Sequence, residues 1–269
     1  MPEVVRANGV LDELLTDLEQ MGGELEEALN RLSPRDWNKP TPAAGWTIAH
    51  QIGHLAWTDR MSIMALTNHD EFDGAVTAAL ADPHGFVETG AAEGVADAGE
   101  GLMMRWRSGR EVLAVALATA SPNELVPWFG PPMKPTSMAT ARIMETFAHG
   151  LDITDTLELP PGGLGGLRHV CHLGVRTRDY SFRRQGLEAP TAEFRVELRG
   201  PDGQIWSWGP EDAEQKVLGS ALEFSMLVTR RRHRDDLDLA FNGPDVNRWL
   251  DIAQTFAGPS GSGRRPTRF

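Results

Sequence analysis

Apolar residues recur at helical spacing through most of the first 160 positions. Val10, Leu11, Leu14, Leu15, Leu18, Leu25, Leu29 and Leu32 share one face of a first helix with acidic outer positions. Asn8 reads as its cap and Gly22-Gly23 as the place for a bend. Ser33-Pro34 and the run from Lys39 to Trp46 predict a long loop. Thr47 then caps a second helix running to about Asn68, with Ile48, Ile52, Leu55, Ile63 and Leu66 turned inward. Residues 69–99, rich in Gly, Ala and Asp and broken at Asp82-Pro83-His84-Gly85, predict loop with short helical pieces. A third helix spans Glu100 to Ala120 around Leu102, Met103, Trp106, Val112, Leu113 and Leu117. Pro122, Pro127, Pro131, Pro132 and Pro135 punctuate the next connection. Its stretch from Val126 to Met133 is apolar enough to predict a lid or pocket wall. It leads into a fourth helix carrying Glu145 and His149. Four long helices with long crossovers predict a helix bundle with any site on facing helices.

The pattern changes after Pro160-Pro-Gly-Gly-Leu-Gly-Gly166. Leu167 to Phe182 predicts one more helix. Ala192 to Arg199 alternates apolar and charged residues, as a half-buried strand does. Pro201-Asp-Gly203 predicts a hairpin turn into Ile205-Trp-Ser-Trp208, with Trp206 and Trp208 on one face as core. Leu218 to Val228 reads as helix, Leu237 to Phe241 as strand, and Val246 to Phe256 as a terminal helix. The tail from Gly258 to Arg265 reads as a flexible or surface-bound strap. The expected organisation is α plus α+β: a bundle over residues 1–160 and an α+β domain over 167–269.

Composition narrows the function classes. Hydrophobic residues at 41 % and charged residues at 24 % are those of an ordinary globular protein. A net charge of -12 argues against nucleic acid or an anionic membrane as partner. The single cysteine, Cys171, forms no internal disulfide, as expected in a reducing compartment. No signal peptide is expected from the first residues, and no apolar run reaches the roughly 20 residues needed to cross a bilayer. A cytoplasmic protein acting on a small molecule is the expectation, and an apolar outer bundle face would support a homodimer.

The chemistry gathers in Ala141 to Asp155. Glu145 and His149 stand four residues apart, hence one above the other on a helix, where carboxylate and imidazole can close on one divalent metal. A third ligand must come from elsewhere. His54, in the apolar Gly53-His-Leu-Ala-Trp57 run, is the best candidate, and His50, one turn earlier, is its rival. Two His and one carboxylate leave positions open for water or substrate, as catalysis requires. Asp152 is a candidate ligand or a carboxylate orienting an imidazole. Arg142, one turn before Glu145, could fix an anionic substrate. Arg230 and Arg231, in the basic run Thr229-Arg-Arg-Arg-His233 of an acidic chain, could hold a carboxylate bidentately. Cys171 has no neighbour that would lower its pKa into the nucleophilic range. No Gly-rich phosphate loop, Gly-x-Ser-x-Gly elbow or Cys-x-x-Cys pair is present.

Three stretches carry a family resemblance. Gly45-Trp-Thr with Gly53-His-Leu-Ala-Trp57, and Arg142-Ile-Met-Glu-Thr-Phe-Ala-His-Gly-Leu-Asp152, resemble the two metal-ligand helices of actinobacterial proteins related to mycothiol-dependent maleylpyruvate isomerase. The run from Trp206-Ser-Trp-Gly-Pro to Ala253-Gln-Thr-Phe-Ala-Gly-Pro resembles a subgroup labelled for wyosine base formation. The resemblance covers nearly the whole chain. It implies a DinB-like four-helix bundle followed by a small sterol-carrier-like α+β domain, with the family's two ligands on the second helix falling on Glu145 and His149. It also implies zinc, with nickel or iron as alternatives, and mycothiol as a thiol cofactor.

A metal-dependent isomerase or S-transferase using mycothiol is therefore the leading expectation. A metal-assisted hydrolase of a small metabolite is one alternative. A non-catalytic small-ligand binder with a structural metal is the other, and a closed fourth ligand would favour it. The wyosine label is discounted, because an acidic chain without interleaved aromatic and basic residues is poorly suited to gripping tRNA.

Overall fold

The computed structural model describes residues 2–258, 261 and 263–267, with the side chains of residues 2–8 left aside. The chain forms two compact units, Met1–Gly163 and Leu164–Phe269.

In the first unit four long helices, α1 (Pro2–Leu29), α2 (Ile48–Thr67), α5 (Glu100–Thr119) and α6 (Pro135–Thr156), pack as a bundle. Shorter helices α3 (His69–Ala81) and α4 (Pro83–Ala92) cover α2. Leu25, Leu29, Trp37, Ile48, Ile52, Leu55, Leu102, Trp106 and Ile153 form the core between the long helices. Among the described residues no helix is long and apolar enough to cross a membrane.

Three local readings change. The first helix begins at Pro2, so Asn8 lies within it, and the side chain of Asn8 is outside the described residues. The helix runs unbroken through Gly22-Gly23. Gly22 instead lets a side chain of α5 cross close by, since a Cβ there would fall 1.4 Å from Nη1 of Arg110. The stretch 69–99 is mostly helix, because two polar side chains start it twice. Asn68 accepts from the Glu71 N–H at 3.4 Å, and Asp82, followed by Pro83 at the first helical position, accepts from the Gly85 N–H at 2.9 Å.

Helix α4 sits unusually close to α2. A Cβ on Gly53 would fall 2.3 Å from the carbonyl oxygen of Ala91, and one on Gly90 would fall 2.4 Å from the Trp57 ring. Backbone cannot yield as a side-chain tip can. Gly53→Ala is therefore expected to lower stability by roughly 1–2 kcal/mol: overpacking costs about 1–3, and the better helix propensity of Ala offsets up to about 1. Urea unfolding of the two proteins side by side measures it.

In the second unit α7 (Leu167–Arg176) and α8 (Arg178–Arg184) replace the single expected helix, divided at Thr177. A four-stranded sheet follows, ordered β2-β1-β3-β4. β1 (Arg195–Arg199) and β2 (Ile205–Trp208) form the hairpin with Gly203 at φ 82°. β3 (Lys216–Ser220) runs parallel to β1, and β4 (Ala240–Asn242) antiparallel to β3. The expected helix over 218–228 is thus strand, then α9 (Ala221–Val228). Ser220 ends the strand by capping that helix, accepting from the Glu223 N–H at 3.1 Å. α10 (Pro244–Ile252) completes the unit. Trp206 and Trp208 are half-buried rather than core, with the Trp208 indole donating to His172 Nδ1 at 3.2 Å. Phe194, Phe224 and Trp249 fill the core instead. Of the tail, residues 259, 260 and 262 lie outside the described residues, while the Thr267 N–H donates to the Asp236 carboxylate at 2.8 Å.

Candidate metal centre

His54 on α2 and the pair Glu145 and His149 on α6 meet inside the bundle. One ligand atom from each lies within 4.8 Å of the others, and they are the only such group of three among the described residues. Nε2 of His149 is 3.1 Å from Glu145 Oε2, and Nε2 of His54 is 3.6 Å from the same oxygen. Helical spacing fixes the α6 pair, and the contact of α2 with α6 supplies the third member. Burial alone would raise the Glu145 carboxyl, but His149, His54 and the charge of Arg142 outweigh it and hold the group well below the usual carboxylate range. An ionised, desolvated carboxylate between two imidazoles is a donor set for a borderline-soft dication.

The rivals sit elsewhere. His50 is tied to the start of α2, its Nδ1 2.8 Å from Thr47 Oγ1 and accepting from the Thr47 N–H at 3.3 Å. Asp152 is fully buried and lies outside the group of three.

Gln51, absent from the sequence-predicted site, orients the centre. Its Oε1 lies 2.5 Å from His149 Nδ1, and its own amide donates to Thr41 Oγ1 at 2.8 Å. The amide oxygen can only accept, so Nδ1 of His149 carries a proton and donates it to Gln51, leaving Nε2 as the nitrogen that faces Glu145. Gln51 stands three residues before His54, one turn away on the same face, a spacing that could have flagged it. Gln51→Ala is expected to weaken metal affinity about 10–100-fold, the usual cost of losing a partner behind a ligand. Competition with a zinc chelator of known affinity measures it.

Aromatic rings wall the centre. Trp46 stacks on His149 at 5.8 Å and lies 5.2 Å from His54, its indole N–H bonded to Glu88 of α4. Trp57 lies 5.7 Å from His54 and joins Phe86 and Phe129. The apolar connection is pinned by paired backbone bonds between Val126 and Met133, and its Trp128 and Phe129 pack on Phe72. Trp128 also faces the guanidinium of Arg142, which is 5.4 Å from the ring. Arg142 is 4 % exposed, and its Nε and Nη1 have no hydrogen-bond partner.

A family model described as the mycothiol maleylpyruvate isomerase N-terminal domain matches residues 18–154, the segment that holds all three ligand candidates. The chain belongs to that family. A second model, described as wyosine base formation, matches residues 190–240. Two uncharacterized proteins of Mycobacterium tuberculosis, from strains CDC 1551 and H37Rv, are each 49% identical over 250 residues, covering 93% of this chain and 97% of theirs. The crystal structures of the mycothiol-dependent maleylpyruvate isomerase and of a variant of it superpose with a TM-score of 0.56. They cover 91% of this chain and 96% of theirs at 16% identity, a likeness of fold.

The remaining candidates lie in the second unit. Arg230 takes a left-handed backbone, φ 57°, and burial lowers its pKa. With Arg232, His233, Arg234 and Arg264 it lines a cavity of ≈ 240 Å³. The Arg231 side chain donates to the Thr229 carbonyl at 2.9 Å. Cys171 is fully buried, and burial pushes its thiol up to about 12, so it is no nucleophile near neutral pH.

Proposed function

We propose that this chain is a metal-dependent enzyme of the thiol-dependent isomerase or S-transferase type, acting on a small anionic metabolite. The observation that carries the reading is the His54, Glu145 and His149 group, in which Nε2 of both imidazoles faces one Glu145 oxygen in an otherwise apolar wall. Zinc suits the two nitrogens and one oxygen best, with nickel or iron as alternatives. Zinc held there, with a thiol such as mycothiol, would supply a nucleophilic sulfur near neutral pH.

The chain's own residues then have separate tasks. Glu145 stays ionised, Gln51 holds the His149 tautomer, and Trp46 and Trp57 keep water from the imidazoles. Arg142 offers its buried Nε and Nη1 to an anionic substrate. Arg230 and Arg231 are proposed as a further clamp for a carboxylate, being part of a basic run in an acidic protein, with Arg230 lining a cavity. The test is turnover of maleylpyruvate and related unsaturated acids by zinc-loaded protein, with and without mycothiol. Turnover that needs both zinc and thiol, and is lost in Glu145→Gln, is expected. Metal-loaded protein that hydrolyses esters or amides without any thiol would replace this reading with a hydrolytic one.

A further inference from the structure

Helix α9 ends in a paired turn. The Arg230 N–H donates to the Leu227 carbonyl at 2.9 Å, and the Arg231 N–H donates to the Met226 carbonyl at 2.8 Å. That closure places the residue after the cap, Thr229, in the left-handed region, and Arg230 accordingly has φ 57°. Glycine is the usual residue at such a position, because it has no Cβ to crowd the carbonyl. An arginine there carries backbone strain that glycine would avoid.

The Arg230 side chain gains no pairing in return. Among the described residues its guanidinium has neither an ion pair nor a hydrogen bond, and its Nε is buried without a partner. It lines the cavity of ≈ 240 Å³ in the second unit together with Arg232, Arg234 and Arg264. Among the described lining residues Asp251 is the one carboxylate, and Arg234 already holds it at 2.6 Å. The tail passes beside Arg230 and brings Arg264 to the same cavity. A Cβ on Gly263 would fall 2.8 Å from Arg230 Nη2, so the absence of a side chain there permits the approach. The negative end of a helix dipole accounts for basic residues near the end of α9. It does not call for an unpartnered Nε inside a cavity.

We propose that this cavity is an anion site of the second unit, taking the phosphate group of a small soluble molecule, with Arg230 as its principal contact. Four arginines line it and one carboxylate opposes them, an excess that suits a dianion with several acceptor oxygens better than a single carboxylate. The volume is that of about eight water molecules at about 30 Å³ each, room for a phosphate and part of the molecule that carries it. The net charge of -12 opposes an anionic bilayer as the source of that phosphate. The inference does not rest on the metal centre; it sharpens the assignment of Arg230 from a carboxylate to a phosphate.

Calorimetric titration of the full, metal-free chain at pH 8 with phenyl phosphate and with benzoate tests it. Phenyl phosphate is expected to bind about tenfold or more tightly than benzoate. Arg230→Gly relieves the left-handed backbone, so it is expected to melt no lower than wild type while binding phenyl phosphate about tenfold or more weakly. A merely structural arginine would leave that affinity unchanged. Unchanged affinity in Arg230→Gly, or no binding of phenyl phosphate by wild type, overturns the proposal. Benzoate binding as tightly as phenyl phosphate overturns the phosphate assignment and leaves the carboxylate clamp standing. If Arg230→Gly does not fold, Arg264→Gln decides: a loss of about threefold or more is expected, and wild-type-like binding overturns the site. Flotation with vesicles containing phosphatidic acid, if Arg230→Gly abolishes it, overturns the soluble source. Zinc binding without phenyl phosphate binding removes this inference alone, and phosphate binding without zinc removes the metal reading alone.

Discussion

His149→Ala is expected to lose metal binding while keeping its helices. Zinc in structural sites of four ligands is bound by about 10–16 kcal/mol, so each ligand is worth roughly 3–4 kcal/mol, or two to three powers of ten in affinity. His149 contributes more than one bond. It anchors the chain from Thr41 through Gln51, and its ring touches those of both Trp46 and His54. The alanine variant removes the ligand and that link together, so the loss is expected at the upper end of the range. Far-ultraviolet circular dichroism should remain that of wild type, because the core is built from Leu25, Ile52, Leu55 and Trp106 rather than from the imidazole. Isothermal titration with zinc measures the affinity. An unchanged affinity would remove the whole assignment of ligands.

The second large effect concerns stability and pH. The Asp59 carboxyl is raised from the ordinary 3.8 to about 7 because burial disfavours its charge. Between those values the folded protein holds a proton that the unfolded chain has released. The sign of this group's contribution follows: it is most favourable below about pH 4, falls as pH rises toward 7, and is flat above it. A difference of about three pH units at 1.36 kcal/mol each amounts to roughly 4 kcal/mol. Asp59→Asn carries no such charge. It is expected to remove this fall, making the metal-free protein more stable than wild type above pH 7 and similar to it near pH 4. Urea titrations of both proteins between pH 4 and 8 read the difference directly. Parallel curves for the two proteins would show that Asp59 ionises in the folded state without cost.

Much of this was legible in the sequence for local reasons. Glu145 and His149 are four apart on one helix, and Gly53-His-Leu-Ala-Trp57 marks a histidine in an apolar run, so meeting in space required only that two helices face each other. The elements missed were those settled by partners distant in the chain. Leu218 to Ser220 look helical beside Ala221 to Val228, but pairing with Glu197 to Arg199 of β1 makes them strand. Residues 69–99 look loose by composition, yet α3 and α4 gain order by packing on α2, with Gly53 and Gly90 permitting the approach. Gln51 shares a helix face with His54, which marks it as a neighbour, but its task depends on His149 some ninety residues later. Trp206 and Trp208 carry the alternation of a buried strand, but β2 is an edge strand of the sheet and they stay half-exposed.

The central claim is that His54, Glu145 and His149 hold one metal ion. Elemental mass spectrometry of protein purified without chelator, on wild type, His54→Ala and His50→Ala together, tests it most directly. About one zinc per chain in wild type and in His50→Ala, and almost none in His54→Ala, is the expected result. No metal in wild type, or loss with His50→Ala in place of His54→Ala, would contradict it.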